Sequence, residues 1–284
     1  VMEEIFGPTG SHFSMVRISI ASCDFSLSTY TYADNADFDN NFSIARDLEV
    51  TIPRLLEAKD IAGGWDQFKI LASPWSAPPW MKGDATKDGG FSGGFLKPEF
   101  YQTFADYVVK FLEKYKEEQV EIWGLTPLNE PHGNGSNWDS MIMSGEEEGR
   151  YVSQNLRPAM ADAGFGGIPI YGYDQNKGDR DFEFTEGMLA ESNTGDFQGI
   201  ALHWYWSTYD TFDDNLDRWH EENPELKLLA SEATIDNMRG DNPGEGIAGI
   251  GPGTPTPNSA IPDIAPEADC TWMCQSNEPN AKYN

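Results

Sequence analysis

Two glutamates in this chain stand where a carboxylate can do chemistry. Glu130 ends "WGLTPLNEPHG" (123–133) within an Asn-Glu-Pro triplet, and Glu232 ends "LLASEAT" (228–234) within Ser-Glu-Ala. Each directly follows an apolar run, so each is expected at a strand end, projecting past the sheet. Two carboxylates on one rim are what glycoside hydrolysis needs. At ~5 Å separation one attacks the anomeric carbon, while the other protonates the leaving oxygen and later deprotonates water. Mutual repulsion and partial burial would keep one proton on such a pair at neutral pH. The plainer alternative makes them ordinary rim charges paired with Arg17 or a lysine.

The elements that must position them are short apolar runs alternating with amphipathic segments. Residues 14–22, 68–73, 120–126, 168–173, 199–205 and 226–232 read as strands buried on both faces. Helical patterns cover 98–118, opened by Pro98, as well as 43–60 and 144–163, the last beginning with a Ser144 cap and first-turn acids. Repeated strand and helix imply a mostly parallel sheet, either doubly wound or a (β/α)8 TIM barrel. No glycine-rich fingerprint follows a strand, which disfavours nucleotide binding. The barrel is favoured because polar and aromatic residues fall at the C-terminal strand ends: Asp24, Trp75 and Trp80, Asn129 and Glu130, His203 to Trp206, and Glu232.

The loop "ILASPWSAPPWMK" (70–82) is stiffened by Pro74, Pro78 and Pro79 and carries both Trp75 and Trp80. It could hold aromatic faces for a sugar, or fold into a rigid turn with both indoles in the core. Only six strands are legible, so the barrel is expected to be incomplete. Residues 1–234 form its catalytic portion, and 235–284, rich in Gly and Pro with no strand or helix period, are a rim loop leading toward its missing end.

Composition narrows the partners. With 47 acidic and 19 basic side chains among 284 residues, a formal charge of −28 argues against nucleic acid and anionic membrane surfaces. No apolar run approaches the ~20 residues of a membrane span. Four scattered histidines and three cysteines give no zinc pattern. Cys23 reads as a buried thiol, whereas Cys270 and Cys274 could close a small loop in an oxidising compartment. "DNADFDNNF" lacks the glycine and terminal glutamate of a calcium loop. No cofactor is expected.

"MVRISIASCDFSLSTYTYADNADFDNNFSIARD", "LASPWSAPPWMK", "WGLTPLNEP", "GIALHWYW" and "LLASEAT", in this order and at these spacings, resemble glycoside hydrolase family 30, most closely its glucosylceramidase branch. The likeness runs from Phe13 to Thr234. It implies a retaining enzyme with Glu130 as acid/base, Glu232 as nucleophile and Asn129 on the sugar 2-hydroxyl. Asp24 would hold outer hydroxyls, Trp80 would be the stacking tryptophan, and Arg17 would reach Glu232 and keep it ionised. His203 and Tyr205 would line the floor. The substrate implied is a β-glucoside, glucosylceramide or a β-glucan, in a secreted or extracytoplasmic setting. The family also has an earlier strand, a final helix and strand, and a β-sandwich, none found in this chain. Rival readings are an endo-β-1,6-glucanase, a β-xylosidase and a non-catalytic carbohydrate-binding fragment.

Overall fold

The computed structural model describes residues 1–85, 88–132, 138–178, 181–204, 212–233 and 271–273. The apolar runs become strands β1 (Met15–Ile20), β2 (Lys69–Pro74), β3 (Gly124–Leu125), β4 (Tyr171–Asn176), β5 (Gly199–His203) and β6 (Lys227–Glu232). They pair in parallel and in chain order. β1 lies on β2 from Met15↔Lys69 to Ile20↔Pro74, and β2 on β3 through Leu71↔Gly124. A bridge at Leu125↔Ile170 carries the row to β4, which pairs with β5, and β5 with β6. Sequential parallel neighbours joined by helices are the staves of a barrel, of which this chain supplies a part.

Burial follows the expected pattern in the other staves but not in β6, where Lys227, Leu228 and Ala230 are exposed because this strand ends the described row with a neighbour on one side alone. Every residue of β5 is buried, as are the last five of β1 and of β2. β3 is shorter than the run expected over 120–126, whereas β4 keeps six residues but starts at Tyr171 instead of 168, just past Pro169. Pro169 accepts from Leu125 N–H through its carbonyl, yet it has no N–H to return.

The first long helix of the outer layer is α1 (Thr51–Ala62), preceded by a separate short helix at Ala45–Glu49; Val50 breaks the helix expected over 43–60. α1 stops at Gly63, whose φ of +100° suits glycine. α2 (Tyr101–Glu117) follows a 3₁₀ turn at Pro98–Phe100 and buries Phe104, Tyr107, Val108, Phe111, Leu112 and Tyr115. α3 (Gly145–Tyr151) starts in a full capping box between Ser144 and Glu147, then runs through a π turn (Val152–Leu156) into Arg157–Asp162. α4 (Asp181–Ala190) and α5 (Asp213–Glu222) precede β5 and β6. No helix of the described residues is long and apolar enough to cross a membrane.

Two expectations change. Region 235–284 does contain a strand, β7 (Thr271–Met273), which pairs antiparallel with β1 from Val16↔Met273 to Ile18↔Thr271. Cys23 is buried but is a disulfide cysteine, not a thiol. Cys270, Cys274 and the rest of the expected rim loop lie outside the described residues.

α3 and α4 meet with backbone almost against backbone. A Cβ on Gly145 would fall 1.8 Å from the Phe184 carbonyl oxygen, and one on Gly149 2.3 Å from that of Met188. A single methyl must therefore push the helices apart. Gly145→Ala is expected to destabilise the fold by ~1–3 kcal/mol, measured by urea unfolding.

Candidate active site

Every parallel stave, or the turn just after it, brings a side chain to one buried point. Arg17, on β1, is 0% exposed. Its Nε donates to Ser73 Oγ on β2 (3.0 Å) and its Nη1 to Glu232 Oε2 on β6 (2.5 Å). Its Nη2 donates to Asn129 Oδ1 (2.8 Å) and to Asp174 Oδ2 on β4 (2.6 Å). The guanidinium also stands 4.5 Å from the centre of the Trp75 ring. A buried arginine needs this many partners, since an unpaired charge there would cost several kcal/mol.

Asp174 is the second centre. Thr126 Oγ1 donates to its Oδ2 (2.6 Å), Ser231 Oγ to its Oδ1 (2.7 Å), and His203 Nε2 lies 3.1 Å from Oδ1. Burial opposes its charge. The Arg17 guanidinium, then His203 and Thr126, outweigh burial and hold the carboxyl well below the usual carboxylate range.

His203 links the two glutamates. Its Nδ1 is 3.2 Å from Glu130 Oε1, and its Nε2 is 3.8 Å from Glu232 Oε2. Burial works against an imidazolium, but the charge of Glu232 and the hydrogen bonds to Asp174 and Glu130 push its pKa up to about 10. His203 is then a cation with both nitrogens donating. One oxygen of Glu130, one of Glu232 and a ring nitrogen of His203 lie within 4.8 Å of one another. Such a trio could ligate a metal ion only after His203 lost a proton, and Arg17 already balances Glu232.

Glu130 reaches this point on a strained backbone. Its φ is +44°, unusual for a residue with a Cβ, and its N–H donates to the Asp174 carbonyl (3.0 Å). Both glutamate side chains keep a narrow opening to solvent, 15% for Glu130 and 10% for Glu232. Asp24, just beyond β1, is solvent-exposed. Desolvation by the protein near its carboxyl, then the charges of Glu232 and Glu130, push it up to about 7.

The structure thus gathers Arg17, Asn129, Glu130, His203 and Glu232 at one point and sets Asp24 within the field of both glutamates. Tyr205 lies outside the described residues. Trp80, expected as the stacking wall, is half-buried, its Nε1 donating to Ala33 O (2.9 Å) and its ring meeting Phe100 edge-on. The indole of that loop that reaches the network is Trp75. Its rigid proline setting places it against Arg17, an attraction of cation and aromatic face. Asp174 was not singled out in the sequence; its signal is a lone acid inside the strand "IPIYGYDQN".

A partial (β/α) barrel with paired carboxylates at its C-terminal rim is an arrangement that glycoside hydrolysis can use. The chain belongs to glycosyl hydrolase family 30: residues 1–243 match the model of the "Glycosyl hydrolase family 30 TIM-barrel domain". A putative glucosylceramidase 4 of Caenorhabditis elegans is 31% identical over 252 residues, 86% of this chain and 48% of that protein. The crystal structure of SrfJ from Salmonella typhimurium superposes with a TM-score of 0.74 at 30% identity, over 84% of this chain and 53% of that one. The endo-β1,6-glucanase BT3312 gives 0.71 at 31% identity, over 83% and 52%. The chain therefore spans about half the length of these relatives.

His203 makes a testable contribution to stability. Its folded value of about 10 lies above the ordinary 6.5. Its contribution is therefore full below about pH 6.5 and is lost as pH rises through about 10. The melting-temperature gap between the parent and His203→Gln should be wide at about pH 6 and narrow toward about pH 10. A gap constant across that range would contradict a charged His203.

Proposed function

We propose that the protein to which this chain belongs is a retaining β-glycosidase removing a terminal β-glucosyl residue, of glucosylceramidase type. The observation that carries the retaining chemistry is the closeness of the glutamates: one oxygen of Glu130 and one of Glu232 lie within 4.8 Å, which suits the about 5 Å between carboxyl groups of retention better than the about 6.5–9.5 Å of inversion. Glu232, its charge balanced by Arg17, attacks the anomeric carbon as Glu130 gives its proton to the departing glycosidic oxygen. An α-linked glycosyl ester of Glu232 results. Glu130, now a carboxylate, takes a proton from water; the water oxygen attacks the same carbon and Glu232 leaves, restoring the β configuration. Asn129, its oxygen taken by Arg17, has its NH2 group to offer to a sugar hydroxyl. Asp24 stands where an outer hydroxyl can bind, and Trp75 supports the arginine.

A lipid aglycone is favoured by the rim. Phe25 and Leu27, on the loop after β1, are 47% and 83% exposed. Phe95, after β2, and Ile142, after β3, pair through a backbone bridge and are 42% and 50% exposed. Three loops at the catalytic end of the barrel thus present large apolar side chains to solvent, an arrangement suited to hydrocarbon. The second reading, an endo-β-1,6-glucanase, is supported by the likeness to BT3312 at equal identity. A disulfide at Cys23 suits the secreted or extracytoplasmic setting that goes with either.

Three measurements on the full-length protein test this. Glu232→Gln should lower turnover by roughly 10⁴-fold or more while substrate still binds, because an amide cannot attack. Turnover within tenfold of the parent would remove Glu232 as nucleophile. Glu130→Ala should spare activated aryl glucosides, whose departure needs no proton, and added azide should yield a β-glycosyl azide. The α-azide would refute retention. The double change Phe25→Ser with Leu27→Ser should raise KM for a glucosyl lipid in mixed micelles without altering hydrolysis of an aryl glucoside; preferential cleavage of a β-1,6-glucan by the parent would favour the glucanase.

A further inference from the structure

Behind β4 lies a carboxyl group that the chemistry above does not use. Glu148, on α3, is 0% exposed. Its Oε1 accepts from the N–H of Tyr173 (2.9 Å), and its Oε2 has no hydrogen-bond partner among the described residues. Gly172 makes room for it: a Cβ there would fall 2.9 Å from Glu148 Oε1 and 2.3 Å from Met188 Sδ. The site is built around this side chain.

What it holds is a bulge. The pairing of β4 with β5 slips between Tyr173 and Gln175, and both Tyr173 (φ +71°) and Asp174 (φ +45°) take the left-handed conformation. Such residues cost ~1–3 kcal/mol each unless their surroundings fix them. Two lines run from the bulge to the glutamates. The Asp174 carboxylate takes Arg17 and His203, and the Asp174 carbonyl accepts the N–H of Glu130, itself left-handed. We propose that Glu148 is a positioning residue for the glutamate pair, acting through the β4 bulge and not on the sugar. This rests on the glycosidase reading for its effect on rate, but not for its structural content.

The atom that matters is Oε1 of Glu148, which accepts from Tyr173 N–H. Burial pushes the Glu148 carboxyl up to about 8; the Tyr173 N–H pulls the other way, and Asp174 adds to the rise. A neutral carboxyl with one accepting oxygen fits a pocket that supplies one donor. A carboxamide offers the same acceptor, whereas a thioether of similar length fills the space without it.

The experiment compares the full-length parent with Glu148→Gln and Glu148→Met, measuring kcat and KM on an aryl β-glucoside and amide hydrogen exchange in the segments holding Tyr173 and Glu130. Glu148→Gln should keep kcat within about threefold and retain parental protection, whereas Glu148→Met should lower kcat by about 30-fold with KM nearly unchanged and speed exchange at both amides by about tenfold. Should Glu148→Met not fold, Glu148→Asp, which keeps the group but withdraws it by one methylene, is read in the same way. A methionine variant with parental kcat and exchange would overturn the proposal, as would a glutamine variant as impaired as methionine. A parent without activity on any β-glucoside would refute the glycosidase reading alone, and the exchange rates would still decide the role of Glu148.

Discussion

A guanidinium with no access to water organises this molecule. Arg17 cannot be desolvated alone, so the fold surrounds it with Asp174 and Glu232 as charges and with Ser73 and Asn129 as neutral acceptors. These partners come from β2, from the turn after β3, from β4 and from β6. Satisfying one side chain thus fixes the relative heights of strands across the sheet. His203 adds a second cation beside Asp174, and Glu130 and Glu232 occupy the solvent-facing side of the cluster. Their closeness is tolerable because two positive groups stand behind them.

The strand ends were legible because the charged side chains that converge sit where apolar runs stop. Glu130 and Glu232 each follow such a run, and Arg17 is conspicuous as a charge within one, so their convergence could be argued from strand order. Asp174 was hidden for the opposite reason. The alternation of β4 is broken by the bulge after Tyr173, so counting by twos along the strand gives no reliable direction for its side chain. Trp75 and Trp80 share a loop and a residue type; only contacts distinguish the one facing Arg17 from the one tied to Ala33 and Phe100. Glu148 looked like one first-turn acid among three, and nothing local marks it as the buried one.

The barrel order was readable from the strand and helix alternation, but several outer elements were not. α5 buries Trp219 as its one buried side chain, so it offers almost no apolar stripe to detect. α4 fails for the opposite reason, with apolar residues spread around it as it packs on α3 through glycines. The break at Val50 divides a pattern that is continuous in sequence. β7 is three residues long, in a region whose composition speaks only of turns, and its pairing with the edge of β1 is a long-range choice.

The reach of the Arg17 contacts along the chain bears on the order of folding. Its acceptors stand 56, 112, 157 and 215 residues away. The first pair can form with β1 and β2 alone, whereas the last must wait for a strand at the far end of the row. Until then a charged group on β1 lacks its counter-ions, which disfavours early burial of the strand ends relative to the purely apolar layer. Contacts formed that late contribute little to the folding transition state and act mainly on the unfolding rate. The same cluster that draws the two glutamates together therefore serves as a late lock, setting how long the assembled state persists more than how fast it is reached.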